Sequence, residues 1–260
     1  NYGQNLEKTI QILKTTPQDY LIALDTNLLY NRFIESTLHP LIKQNTEVQD
    51  KVKFSLSKVV ENEIGNKKST KYGKNQIQDL KEIGGKIYKE LFNQPKLKRR
   101  KTMIATEELK FLREEIGIQT TNKKEWSREN NNWDEMIVRD YKEAAEKQDR
   151  KPILITFDKD QQNTCEIHNV KTCVLNLPNP YEKGKINHKN IHQLIKNIAQ
   201  KYGIIQLNGT GAKALGIWKG MNYNKFYKNT IKIIFEQKTE LAKKTKRAKK
   251  TSQKLKNTIK

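Results

Sequence analysis

Four carboxylates stand where an α/β chain places its chemistry. Asp25 closes the apolar run Tyr20 to Leu24 (YLIAL) and is followed by Thr26 and Asn27, where a helix should begin. Asp158 stands in the same relation to the run ILITF, with Asp160 two residues on. In a parallel sheet the carboxyl ends of the strands open onto the crevice that holds ligands. Glu63 and Asp134 lie in helical patterns instead. Glu63 follows Val59 by four residues and Val60 by three, which puts it on the apolar stripe, whereas Glu61 points elsewhere. Asp134 precedes Ile137 and Tyr141 by three and seven, so it shares their stripe, while Asp140 falls off it. A carboxylate turned toward a core is costly unless it is paired or binds a metal.

Each acid has an ordinary explanation on its own. Asp25 suits a helix N-cap, Asp158 a turn, and Asp134 a partner for a helix dipole. Convergence on one pocket explains all four together. Clustered carboxylates with no Cys or His close by select hard cations, here Mg²⁺ or Mn²⁺.

The elements that must position these acids are legible in outline. YLIAL, the alternating KFSLS (Lys53 to Ser57), PILIT (Pro152 to Thr156) and KTCVLNL (Lys171 to Leu177) read as strands, with GIQT after Glu115 as a short addition. Helical patterns cover Asn27 to Ile34, Gln76 to Phe92, Glu107 to Glu115, and most clearly Trp133 to Gln148. Strands alternating with helices imply parallel pairing and an α/β sandwich. Residues 67–132 are longer than a simple crossover requires. They contain KLKRRK (Lys96 to Lys101), a candidate phosphate contact, and the loop-like SRENNN (Ser127 to Asn132). Beyond Pro180 come an amphipathic helix, about Lys189 to Tyr202, and GIIQLNGTGAKALGIWKG, a glycine-rich turn between short strands. Gly209, Gly211 and Gly216 match neither G-x-G-x-x-G nor the P-loop pattern.

Charge is distributed unevenly. The chain of 260 residues has 51 Lys+Arg against 29 Asp+Glu, a formal net charge of +22, which favours a polyanionic partner. From Lys183 onward there are twenty Lys and Arg against two acids, so most of the excess lies at the carboxyl end. Lysine dominates there, and a strongly hydrated point charge suits phosphate attraction better than base reading. Trp218, Tyr223, Phe226 and Tyr227 are interleaved with Lys219, Lys225 and Lys228. They read either as a small core or as a platform on which bases stack. Lys243, Lys244, Lys246, Arg247, Lys249 and Lys250 add a second basic run.

Two cysteines, Cys165 and Cys173, are too few for a disulfide scaffold, and C-x-x-H-x-x-x-x-C through His168 lacks a fourth zinc ligand. Both are expected to be reduced and partly buried. No apolar run approaches the length of a membrane span, and NYGQNLEKTI does not resemble a signal peptide, so a soluble cytoplasmic protein is expected. The chain does not begin with Met, and whether its native start lies further upstream stays open.

The junction LDTN (Leu24 to Asn27), VVENEI (Val59 to Ile64), D-x-x-I-V (Asp134 to Val138) and TFDKD (Thr156 to Asp160) follow the order seen in PIN domains, and the chain resembles that family over about residues 18–178. The resemblance implies a three-layer α/β/α sandwich with a parallel sheet, and a Mg²⁺- or Mn²⁺-dependent ribonuclease, most simply an endoribonuclease, with one or two ions. It implies Asp25, Glu63, Asp134 and Asp158 as catalytic metal ligands, Asp160 as a further ligand, and Asn27 and Thr156 as groups that orient water or phosphate. The expected domain organisation is a nuclease domain over 1–182 with an insertion at about 67–132, a basic helix-and-strand extension over 183–237, and a Lys-rich tail over 238–260, disordered when unbound. Single-stranded RNA is the expected partner. A non-catalytic RNA-binding or assembly module on the same scaffold and a structure-specific DNA nuclease are the alternatives. A homodimer stays open, and the long insertion and basic extension disfavour a toxin with an antitoxin partner.

Overall fold

The structure is a computed structural model, and it describes residues 2–65, 71–84, 86–121, 132–175, 188–208, 210–218 and 229–235. The chain divides into two compact units. The first takes residues 1–68 and 101–184, and the second takes 69–100 and 185–260. Residues 69–100, expected within an insertion of the nuclease domain, thus belong with the carboxyl-terminal part of the chain.

In the first unit, helix α1 (Tyr2–Thr15) precedes strand β1 (Tyr20–Leu24). The short helices α2 (Thr26–Leu29), α3 (His39–Lys43) and α4 (Thr46–Gln49) lead to β2 (Val52–Leu56) and α5 (Lys58–Gly65). After the second unit's α6 (Lys74–Gly84), α7 (Leu97–Phe111) brings the chain back to β3 (Gln119–Thr120). Helix α8 (Trp133–Glu146), β4 (Lys151–Thr156), α9 (Asp160–Ile167) and β5 (Lys171–Val174) complete the unit.

Its sheet is mixed with helices in the α/β manner and is parallel throughout, in the order β3-β2-β1-β4-β5. All five residues of β1 are buried. Successive strand residues point to opposite faces, so both faces of the central strand are covered. That is why β1 and β4 read as continuous apolar runs rather than as alternating ones. Helix α1, absent from the sequence-based expectation, buries Leu6, Ile10 and Leu13 at helical spacing, and its Asn5 side chain donates to the Val174 carbonyl of β5 at 2.7 Å.

The strand order decides where a ligand crevice lies. From β1 the chain moves outward through β2 and β3, then returns to the other side of β1 for β4 and β5. The gap at the carboxyl ends of β1 and β4 is therefore the topological switch point of the sheet.

The second unit contains α10 (His188–Tyr202) and an antiparallel sheet of β6 (Ile204–Leu207), β7 (Ala212–Ile217) and β8 (Thr230–Phe235), in the order β6-β7-β8. A Cβ on Gly216 of β7 would sit 2.2 Å from the Ala199 carbonyl oxygen, so only glycine allows α10 this close to the sheet. Arg100 is the most buried charged group among the described residues of this unit, 1% exposed. Its Nε donates to the Pro95 carbonyl at 2.7 Å, and its Nη1 donates to the carbonyls of Gln200 and Gly216, each at 3.0 Å. Burial lowers its guanidinium to about 10, which leaves it charged at neutral pH. Arg100 of KLKRRK is thus an internal tie and not a phosphate contact. Trp218 is likewise interior, 6% exposed, with its indole N–H on the Gln200 carbonyl at 3.1 Å, so it belongs to the small core and offers no face for stacking.

No helix among the described residues is long and apolar enough to cross a membrane. Cys165 and Cys173 are free and buried, and burial raises both thiols above their ordinary range.

Candidate active site at the switch point

Asp25 follows β1 at the switch point and is 5% exposed. Burial pushes its carboxyl up to about 6, against hydrogen bonds that pull it down. The charges of Asp134 and Glu63 push it further in the same direction. Glu63 and Asp134 therefore lie near enough to act on Asp25, although the three are separated by up to 109 positions in the chain. Glu63 projects from α5, and its Oε2 accepts the Thr26 hydroxyl at 2.7 Å, directly beside Asp25.

Thr156, at the end of β4, spans the switch point. Its hydroxyl donates to Asp25 Oδ2 at 2.5 Å and accepts the Asn27 side-chain amide at 3.3 Å and the Asp158 backbone N–H at 2.9 Å. A hydroxyl has one proton and two lone pairs, so Thr156 has no capacity left. It orients Asp25, and the expected role in orienting water or phosphate does not fit its bonding. Asn27 Oδ1 in turn accepts the Phe157 amide at 3.2 Å, which binds the start of α2 to the end of β4.

Asp158 and Asp160 are both exposed. Asp158 Oδ1 accepts the Asp160 amide at 2.9 Å, an Asx turn ahead of α9, which fits its ordinary reading as a turn residue. Neither is among the charges that act on Asp25.

Helix α8 departs from its expected orientation in one respect. Asp134 is exposed and Asp140 is 2% exposed, the reverse of what the stripe predicts. Asp134 does share the direction of the buried Ile137 and Tyr141, but it lies in the first turn of the helix, where the packing ends. Asp140 is covered because hydroxyls meet it. Ser57 and Thr121 both donate to its Oδ2, at 2.5 and 2.6 Å. The same hydroxyls accept the first two amides of α5, Val59 N–H on Ser57 at 3.1 Å and Lys58 N–H on Thr121 at 3.0 Å. Asp140 thereby fixes the start of the helix that carries Glu63. No periodicity signals this, because the hydroxyls come from the ends of β2 and β3.

Two further residues were outside the sequence-based expectation. Gln161 of α9 is buried and donates its Nε2 to Asp134 Oδ1 at 3.2 Å. Glu108 of α7 is fully buried, and its Oε1 accepts the amides of Ile34 and Glu35 at 2.7 and 3.0 Å, which caps the π-helical turn Ile34–Leu38 beyond α2. Burial pushes the Glu108 carboxyl up to about 7, against the pull of those two amides.

As placed, the side chains do not close around one point: among the described residues no three of His, Cys, Asp and Glu form a group that could hold a metal ion. The predicted nucleic-acid contacts Lys219, Lys225, Lys228, Lys243, Lys244, Lys246, Arg247, Lys249 and Lys250, the aromatics Tyr223, Phe226 and Tyr227, and the tail 238–260 all lie outside the described residues.

No protein-family model and no curated protein matches the chain. Among solved structures, a domain of a functionally unknown protein from Methanocaldococcus jannaschii is similar at 14% identity and a TM-score of 0.38, over 65% of this chain and 99% of that one.

Proposed function

We propose that the chain is a divalent-cation-dependent nuclease of the PIN type, a three-layer α/β/α sandwich that cleaves RNA and holds it through a basic carboxyl-terminal region. The observation that carries this reading is the buried Asp25 at the switch point with Glu63 and Asp134 acting on it as like charges. A buried carboxylate with two further hard oxygen donors acting on it fits Mg²⁺ or Mn²⁺, because a cation relieves both the repulsion and the desolvation of Asp25. Asp25, Glu63 and Asp134 would hold the ion, with Asp158 and Asp160 as the outer acids on the β4 side. When bound, the ion supplies Lewis acidity for phosphodiester hydrolysis, giving 5′-phosphate products. The chain's own part is positioning: Thr156 fixes the Asp25 carboxylate, Thr26 fixes Glu63, and Asn27 keeps the two strand ends together.

A non-catalytic RNA binder on the same scaffold is the second reading, and the lack of a closed three-donor group among the described residues favours it. A labelled single-stranded RNA incubated with Mn²⁺, with and without EDTA, separates the two. The nuclease shortens the RNA only without EDTA, whereas a binder shifts it in a native gel and never shortens it. Asp25→Asn should abolish the Mn²⁺-dependent cleavage and leave the gel shift nearly intact. Undiminished cleavage by that variant rejects the assignment.

A further inference from the structure

Helix α10 is amphipathic, but its apolar stripe is not the side that meets the sheet. Ala199 and Gln200 are buried, with the Ala199 carbonyl placed against Gly216 of β7. Ile191, Leu194, Ile198 and Tyr202 recur at spacings of three, four and four, which sets them on one stripe along the side of the helix away from Ala199 and Gln200. Ile191, Leu194 and Tyr202 are 40%, 58% and 53% exposed. Ile233 of β8 pairs with Ala214, two residues from Gly216 and so on the sheet face that α10 covers, yet it too is exposed.

A short helix draws its stability from burying its apolar face, so a stripe left in water calls for an occupant. Charge selects which. Helix α10 (HKNIHQLIKNIAQKY) contains three lysines, two histidines and no acid. A second copy brings the same positive charge, and so do the Lys-rich residues 238–260, so both are repelled. Nucleic acid has the right sign, but isoleucine and leucine give bases no face on which to stack. An anionic lipid surface meets both requirements, with acyl chains for the aliphatic residues and acidic head groups for the lysines. Tyr202, with Lys201 Nζ 5.6 Å from its ring centre, suits the boundary between the two.

We propose that α10 is a peripheral membrane-binding helix that lays its Ile191, Leu194, Ile198 and Tyr202 stripe into an anionic lipid surface. The assignment does not depend on the reading of the acids in the first unit.

The test is binding of the full chain to phosphatidylglycerol-containing vesicles, with phosphatidylcholine vesicles, single-stranded RNA, light scattering and thermal melting in parallel. The double variant Ile191→Gln with Leu194→Gln keeps the charge, and both positions are exposed, so its melting temperature should equal that of wild type. Its affinity for the anionic vesicles should fall about 10-fold or more, while its RNA affinity should stay within about twofold. Ile167→Gln, at an exposed apolar position in α9, should change neither. In a Leu194→Trp variant, brominated phosphatidylglycerol vesicles should quench the added fluorescence. Vesicle affinity of the double variant within about twofold of wild type means that charge alone draws the chain to lipid, and overturns the proposal. A double variant that loses RNA binding, or self-association, and keeps lipid binding assigns the stripe to that other occupant and overturns it as well. Should the double variant not fold, the quenching decides: an added tryptophan that brominated lipid leaves bright overturns the proposal.

Discussion

The Tyr141 hydroxyl donates to the Leu24 carbonyl at 2.6 Å, one residue before Asp25 in the chain. The same oxygen accepts the Ser57 amide at 2.9 Å, one residue before α5 begins. A single phenol from α8 thus joins the carboxyl ends of β1 and β2, from which Asp25 and Glu63 are displayed. Tyr141 is fully buried, and burial raises its pKa well above the ordinary value, so it stays a donor at any working pH.

Tyr141→Phe keeps the ring and leaves the Leu24 carbonyl and Ser57 amide without this partner. Each buried group left unpaired costs about 1–3 kcal/mol, so for the two a loss of about 2–6 kcal/mol is expected. Urea unfolding of the first unit should show it as a lower midpoint with an unchanged slope. A midpoint equal to wild type would mean that other interactions hold the two strand ends.

Glu108 predicts a pH dependence whose sign is fixed by its environment. Its folded pKa, about 7, lies above the ordinary value of 4.5. The folded state therefore binds the proton more tightly, and the stability it gives is complete below about pH 4.5 and lost as pH rises through about 7. The loss has an upper bound of about 3 kcal/mol, taken from the size of the shift. Glu108→Gln keeps an acceptor for the Ile34 and Glu35 amides without the charge, so its melting temperature relative to wild type should rise between pH 5 and pH 8. Parallel pH profiles for the two proteins would exclude a buried, proton-linked Glu108.

Arg100→Met removes the donors that serve the carbonyls of Pro95, Gln200 and Gly216. The side chain is buried and binds three separate segments of its unit, so a cost of about 3 kcal/mol or more is expected. Amide hydrogen exchange should speed up in α10 and β7 and stay unchanged in β1 and β4. Uniform acceleration across both units would contradict the local role.

Deleting Lys238 to Lys260 should weaken RNA binding and flatten its salt dependence, the log–log slope falling by about one unit for each phosphate that is no longer neutralised. A slope identical to that of the full chain would leave the tail without a part in binding.

The fold was legible where burial is total. β1 is buried along its whole length and β4 from Ile153 onward, so both are dominated by apolar residues, and YLIAL and PILIT announce them within a residue of their ends. Helix α1 carries a readable stripe of Leu6, Ile10 and Leu13 that the expectation left out, as it left out β8, whose residues are all exposed or half-buried and whose pattern is weak.

The acids were legible as types at strand ends and helix starts, because local spacing fixes direction around a helix axis. How far packing extends along that axis is another matter: Asp134 lies beyond it, and Asp140 is buried by hydroxyls that arrive from the ends of β2 and β3. The amino-acid sequence by itself determined a parallel α/β sheet with an acid at the end of each of its two central strands, since those features follow from chain-local hydrophobicity and from the polarity of strand ends. Only the tertiary structure decided that Thr156 is bonded to capacity, that Gln161 faces Asp134, and that Arg100 is an internal tie, because each depends on contacts between segments whose separation along the chain carries no local signal.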